Sequence, residues 1–195
     1  MERTYGVNEI FHSLQGEGFW TGTPAVFLRL SGCNLRCPFC DTDFSASVPM
    51  TAAGILAEMK ACCGNGPVPR IAVVTGGEPS LQLDENLVEA LHGAGWRVHV
   101  ETNGTHPLPK GIDWVTFSPK QDLAPHCPPA VLQQADELKL VYTGGPEVEK
   151  WAAWPATHHF LQPCSGRNVR ETADYVLAHP HWRLSLQTHR ILGIR

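Results

Sequence analysis

The chain has 195 residues, 43% of them hydrophobic and 17% charged, with a formal net charge of −4. One α/β domain over 1–195 suits that length, and a mildly acidic chain without a basic block argues against a nucleic-acid surface. Three of the seven cysteines are clustered, unlike a secreted disulfide framework; Met1–Gly6 lacks the apolar core of a signal peptide and no apolar run approaches membrane-spanning length, so a reducing cytoplasm is expected.

In chain order, Val7–Gly18 alternates loosely and breaks at two glycines, which predicts a short strand and a turn over Leu14, Gln15, Gly16 and Glu17. Ala25–Leu30 is the first core strand, an apolar run interrupted by Arg29. A Ser31-Gly32 break then opens a loop with Cys33, Cys37 and Cys40 at C-x3-C-x2-C spacing, with Phe39 before the last cysteine and Asp41-Thr42 after it. Thr51–Cys63 reads as a helix with Thr51 as N-cap and Ile55, Leu56 and Met59 as its apolar stripe. Ile71–Thr75 is a β-branched strand ending in Gly76-Gly77-Glu78-Pro79, and a helix over Leu83–His92 follows. Strands are predicted at Trp96–Glu101, Trp114–Phe117, Glu137–Tyr142 and His159–Leu161, then a helix at Val169–His179, a last strand at Arg183–Thr188 and the tail His189–Arg195.

Strands alternating with helices predict a largely parallel sheet. The unusual polar residues recur at strand C-terminal ends, where β/α barrels build their reactive face. A full eight-unit barrel takes about 250 residues, so a partial, laterally open β/α barrel is expected.

Soft thiolates hold iron–sulfur clusters, and three of them around a four-iron cubane leave one iron without a protein ligand. A structural zinc site or three packing thiols is the bland alternative, although zinc sites use four ligands and paired cysteines. The Gly-Gly segment lets the backbone approach a ligand closely; by itself it is also an ordinary strand-to-helix turn. Ser118-Pro119-Lys120 supplies a hydroxyl and an ammonium at another strand end, and Gln162-Pro163 an amide. Arg29 inside the apolar run Val26–Leu30 is either one half of a surface salt bridge or, more often for such a position, a guanidinium with a specific partner. Cys62, Cys63, Cys127 and Cys164 show no ligand spacing and read as packing or surface thiols.

The cysteine spacing and the Gly-Gly-Glu-Pro segment resemble the radical S-adenosylmethionine (SAM) superfamily. Phe11–Gly18, Arg29, the cysteine loop with Asp41-Thr42, Thr75–Pro79, Glu101–Thr105, Ser118–Lys120 and Leu186–His189 together resemble the 7-carboxy-7-deazaguanine synthase (QueE) family over essentially the whole chain. The resemblance implies a radical SAM type of partial barrel. It further implies a 4Fe–4S cluster on Cys33, Cys37 and Cys40, SAM held by Phe39, Cys40, Asp41, Gly77, Glu78, Ser118, Lys120 and Gln162, and Mg2+ on Thr42. The expected substrate is 6-carboxy-5,6,7,8-tetrahydropterin, bound by Leu14, Gln15, Gly16, Glu17, Arg29, Thr75, His189 and Arg195. Its ring would be contracted to 7-carboxy-7-deazaguanine with loss of ammonia, on the route to queuosine. An external reductant such as flavodoxin and a homodimer are implied as well. The family commonly ends in proline, so Arg195 departs from its pattern. A glycyl-radical-enzyme activase and a non-catalytic cluster or zinc scaffold are the alternative readings.

Overall fold

The computed structural model describes residues 2–195 and is built on one nine-stranded sheet of order β3-β1-β2-β4-β5-β6-β7-β8-β9. β1 (Thr4–Leu14) pairs antiparallel with both β2 (Pro24–Leu30) and β3 (Val48–Thr51). From β2 onward every pairing is parallel, through β4 (Ile71–Gly76), β5 (Arg97–Thr102), β6 (Trp114–Phe117), β7 (Ala135–Tyr142), β8 (Ala156–Pro163) and β9 (Arg183–Leu184). β3 and β9 are both free edges, so the sheet is the open partial barrel that the alternation predicted.

Side chains of a strand alternate between faces, and each strand here uses the two faces differently. On β2, Val26, Leu28 and Leu30 join Val98 and Val100 of β5 in the outer core, against Ile55 and Met59 of α1 (Ala52–Ala61) and Leu87, Val88 and Leu91 of α2 (Glu85–Gly93). Each such side chain contributes roughly 1.5–3 kcal/mol on burial. Thr51 accepts from the Gly54 amide, the predicted N-cap, and Asp84 accepts from the Leu87 amide and from the Tyr5 hydroxyl. A second outer core, with Phe117, Leu138, Leu140, Leu161 and Trp182, lies over β6 to β9 beneath α3 (Glu147–Ala152) and α4 (Val169–Ala178).

The opposite faces of the same strands point into the barrel. Ala25, Phe27, Ile71 and Val73 form a small inner core with Phe11 and Trp20. Phe19, from the connection between β1 and β2, stacks with Trp114 and His158, while the adjacent Trp20 meets Trp114 edge-on and His99 at 5.2 Å between ring centroids. Burial and the nearby Arg97 push the His99 imidazole down to about 4, so this aromatic floor is uncharged at neutral pH apart from the flanking Arg97 and Arg183.

Several boundaries differ from the sequence expectations. The first strand runs the full length from Thr4, because its first residues pair with β3, a four-residue edge containing Pro49 that shows no alternation. The short helix α3 was not predicted. The last strand, expected over Arg183–Thr188, stops at Leu184; Ser185 and Thr188 bond to Leu161 and Gly16 instead, and α5 (Thr188–Leu192) begins where the strand was expected to end. Among the described residues, no helix is long and apolar enough to cross a membrane.

Candidate active site

One cavity of about 340 Å³ at the strand C-terminal ends is lined by every candidate residue named from the sequence. The cysteine loop, Cys33, Cys37, Phe39, Cys40, Asp41 and Thr42, forms one wall; Thr75 on β4, Gly77 and Glu78 after it, Ser118 and Lys120 after β6, and Gln162 on β8 form the next. Leu14, Gln15, Gly16, Glu17 and Arg29 face them, and His189 and Arg195 come in from the C-terminal segment.

The Gly-Gly segment works differently from expectation. A Cβ on Gly77 would lie 2.1 Å from the Gly32 carbonyl oxygen, so the glycine is required by the neighbouring backbone of the cysteine loop. The Gly77 and Glu78 amides donate to Leu30 and Gly32 carbonyls at 3.2 and 2.9 Å, locking the two loops together. The Glu78 side chain is likewise committed: buried, it accepts from the Ser80 amide and hydroxyl, the Thr102 hydroxyl and the Asn103 amide. Asn103 then donates to Asn34 inside the cysteine loop. Glu78 therefore braces the thiol-bearing loop against the end of β5, besides lining the cavity.

All seven cysteines are free thiols. Burial raises the Cys33 and Cys37 thiols above their ordinary range, while the Leu35 amide and Lys120, respectively, pull the other way. Soft, unpaired sulfur donors on a loop without regular structure fit ligation of an iron–sulfur cluster. The Lys120 ammonium donates to the Ser118 carbonyl and hydroxyl at 2.7 and 2.5 Å. Burial lowers it to about 8, against the attraction of Cys37.

Opposite, the cavity is polarised. Arg29 is cationic and oriented by Glu9, which accepts from its Nε at 2.8 Å and leaves the terminal nitrogens of the guanidinium for a ligand. Arg195 also pairs with Glu9, and both guanidiniums lie over the Phe11 ring. Across from them stand two carboxylates, Glu17 and Glu101, on Lys139. Burial opposes ionisation of Glu17, yet the Lys139 charge and the Gln187 amide hold it down at about 2. Gln15 ties its amide to Glu101 at 2.9 Å. The Gly18 amide donates to Ser185 and the Phe19 amide to Glu137, so the arc after β1 is pinned from below. Its upper side is pinned by Thr188, which donates to the Gly16 carbonyl, and by the His189 ring, which lies directly on Gly16. Thr42 donates to Asp41 at 3.3 Å, and Asp41 also receives Gln187 and Arg190.

Sequence reasoning missed Lys139 and gave Glu101 and Gln187 no individual role. A lysine between Leu138 and Leu140 in a strand buried on both faces was the available signal for Lys139.

Comparison with known proteins agrees with this geometry. The profile of the Radical SAM superfamily matches residues 28–120. The chain is 52% identical to the 7-carboxy-7-deazaguanine synthase of Bacteroides thetaiotaomicron over 97% of this chain and 98% of that one, and 43% identical to that of Bordetella pertussis over 97% and 99%. QueE from Escherichia coli superposes with a TM-score of 0.77 at 28% identity, covering 94% of each chain. SAM-bound SuiB from Streptococcus suis, at 16% identity and TM-score 0.53 over 79% of this chain and 44% of that one, shares the fold. Cluster loop, Gly-Gly-Glu segment and full-length similarity agree: the chain belongs to the 7-carboxy-7-deazaguanine synthase family, lyases of the radical SAM superfamily that use a 4Fe–4S cluster and SAM.

Proposed function

We propose that this enzyme converts 6-carboxy-5,6,7,8-tetrahydropterin to 7-carboxy-7-deazaguanine with release of ammonia, in the biosynthesis of queuosine or another 7-deazapurine. The observation that carries the reading is the polarity of this cavity. A cationic corner at Arg29 lies across from an anionic wall at Glu17 and Glu101, beside the three thiols. A carboxypterin has that same polarity, a carboxylate at one end and an edge of N–H donors at the other.

Cys33, Cys37 and Cys40 would hold the 4Fe–4S cluster, which with SAM would supply the electron and the hydrogen-abstracting radical. The chain's residues position and enclose the reactants. Gly77, Glu78, Phe39, Cys40 and Asp41 border the SAM side, with Ser118, Lys120 and Gln162 offering donors to its polar groups. Arg29 takes the substrate carboxylate by two N–H donors, the geometry a guanidinium favours. Leu14, Gln15 and Gly16 present main-chain groups to the pterin, Glu17 accepts from its amino edge, and Thr75 lies between the two ligands. His189 and Arg195 close the far side and keep water from the intermediates. Mg2+ suits Thr42: a hydroxyl is a hard oxygen donor, and magnesium is commonly bound by few protein ligands together with substrate oxygens and water. A flavodoxin-type reductant, a single-domain homodimer and a cytoplasmic setting complete the proposal.

The test is anaerobic incubation of reconstituted enzyme with SAM, dithionite, Mg2+ and the carboxypterin, read by mass spectrometry. A product lacking one substrate nitrogen is expected. SAM cleavage without any change in the pterin would overturn the assignment of substrate.

A further inference from the structure

Lys139 lies on β7 at 5% exposure, its neighbours Leu138 and Leu140 turned into the outer core. Its ammonium meets Glu17, from the connection after β1, and Glu101 of β5 at 3.4 Å. Each carboxylate has a second tether: Gln187 donates to Glu17 at 2.8 Å and Gln15 to Glu101 at 2.9 Å. One cation and two amides, drawn from widely separated parts of the sequence, therefore fix two acceptors on one wall of the cavity.

We propose that Lys139 is a positioning residue for the carboxypterin: it holds Glu17 and Glu101 side by side on the cavity wall as a paired acceptor for the donor edge of the pterin. The inference rests on the function proposed above and adds a residue to it. Glu17, whose side chain is 14% exposed, takes up a proton or swings toward solvent when its cation is removed, and a protonated acid competes with the substrate as donor. One ammonium for two carboxylates leaves the wall with a residual negative charge, the sign that attracts N–H donors.

Glu17 sees Lys139, Gln187 and His189; Lys139 sees Glu17, Glu101, Glu137 and, as a repelling neighbour, Lys120; Lys120 in turn faces Cys37 and Glu78. Burial opposes the charge on Lys139, but Glu101, Glu17 and Glu137 together raise its proton affinity above that of a free lysine. It therefore stays charged throughout the neutral range. Removing it leaves burial, which favours the protonated acid, opposed only by Gln187 and His189.

The test uses the reconstituted holoenzyme and its Lys139→Met and Lys139→Arg variants. Lys139→Met is expected to raise KM for the carboxypterin about tenfold or more and to move the acid limb of kcat/KM to higher pH. SAM affinity and SAM cleavage without pterin should stay at the wild-type level. Lys139→Arg, which keeps the charge, should restore the acid limb. Unchanged KM and acid limb in Lys139→Met overturn the proposal, as does a parallel loss of cluster content, SAM binding and pterin binding, which marks a purely structural lysine. If Lys139→Met does not fold, Lys139→Met/Glu137→Gln, which removes one carboxylate with the ammonium, is held to the same criteria. A wild-type enzyme that cleaves SAM and ignores the carboxypterin overturns the substrate assignment. An active wild type with an indifferent Lys139→Met overturns the role of Lys139 alone.

Discussion

Glu137 shows how one side chain can weaken the fold it sits in. Burial raises its carboxyl from 4.5 to about 7, more than the nearby Lys139 and the Phe19 amide lower it. The folded chain thus holds this proton where the unfolded chain has lost it. The contribution to stability is complete below about pH 4.5 and is lost as the pH rises through 7. Glu137→Gln keeps an acceptor for the Phe19 amide and removes the ionisation. It should raise the unfolding free energy by about 1–3 kcal/mol at alkaline pH and by almost nothing near pH 4, measured by denaturant titration at both values. Residues of this kind were hard to read from the chain. Cys33, Cys37, Cys40 and Arg29 declare themselves by spacing and by a charge in an apolar run. Glu137 and Lys139 take their meaning from neighbours on β5 and the connection after β1, which meet them only in the fold. Glu78 was legible as part of a motif, but its bonds to Ser80, Thr102 and Asn103 were not.

At the scale of elements, the connection after β1 carries the greatest responsibility. It faces the cavity with Gln15 and Glu17 and the aromatic floor with Phe19 and Trp20. The change of side happens at Gly18, whose φ of +64° suits glycine and whose Cβ would meet Glu137 Oε1 at 1.9 Å. Gly18→Ala should cost about 1–3 kcal/mol of stability and raise KM for the carboxypterin, with SAM affinity kept; calorimetry and steady-state kinetics read the two effects. From sequence this segment was only a turn after a short strand, since no local pattern announces that a loop crosses the inside of a barrel. The last strand was over-extended for a related reason. Arg183–Thr188 alternates well enough to predict a strand, but Ser185 donates to Gln162 and Gln187 to Glu17, and these long-range bonds replace a sheet partner. The parallel strands from β2 to β8 were legible because their β-branched and apolar runs end in Gly, Pro or Asn.

For the whole molecule, the open sheet joins two outer cores, one over β1 to β5 and one over β6 to β9, with the cavity drawing walls from both. Trp182, 1% exposed, anchors the second core just before β9 and meets the His159 ring edge-on at 5.5 Å. Trp182→Ala should cost about 3–5 kcal/mol. It should also loosen Gln162 on β8 and its bond to Ser185, just past β9, read as faster amide exchange in β8. The stacked rings of Phe19, Trp20, Trp114 and His158 have a further consequence, for traffic. None of the four lines the cavity, so the reactants occupy one shared pocket that ends short of these rings. Under the proposed reaction the ring-contracted purine forms in the same pocket that its precursor must enter. Added product should therefore compete with the carboxypterin for entry, giving product inhibition that excess carboxypterin relieves.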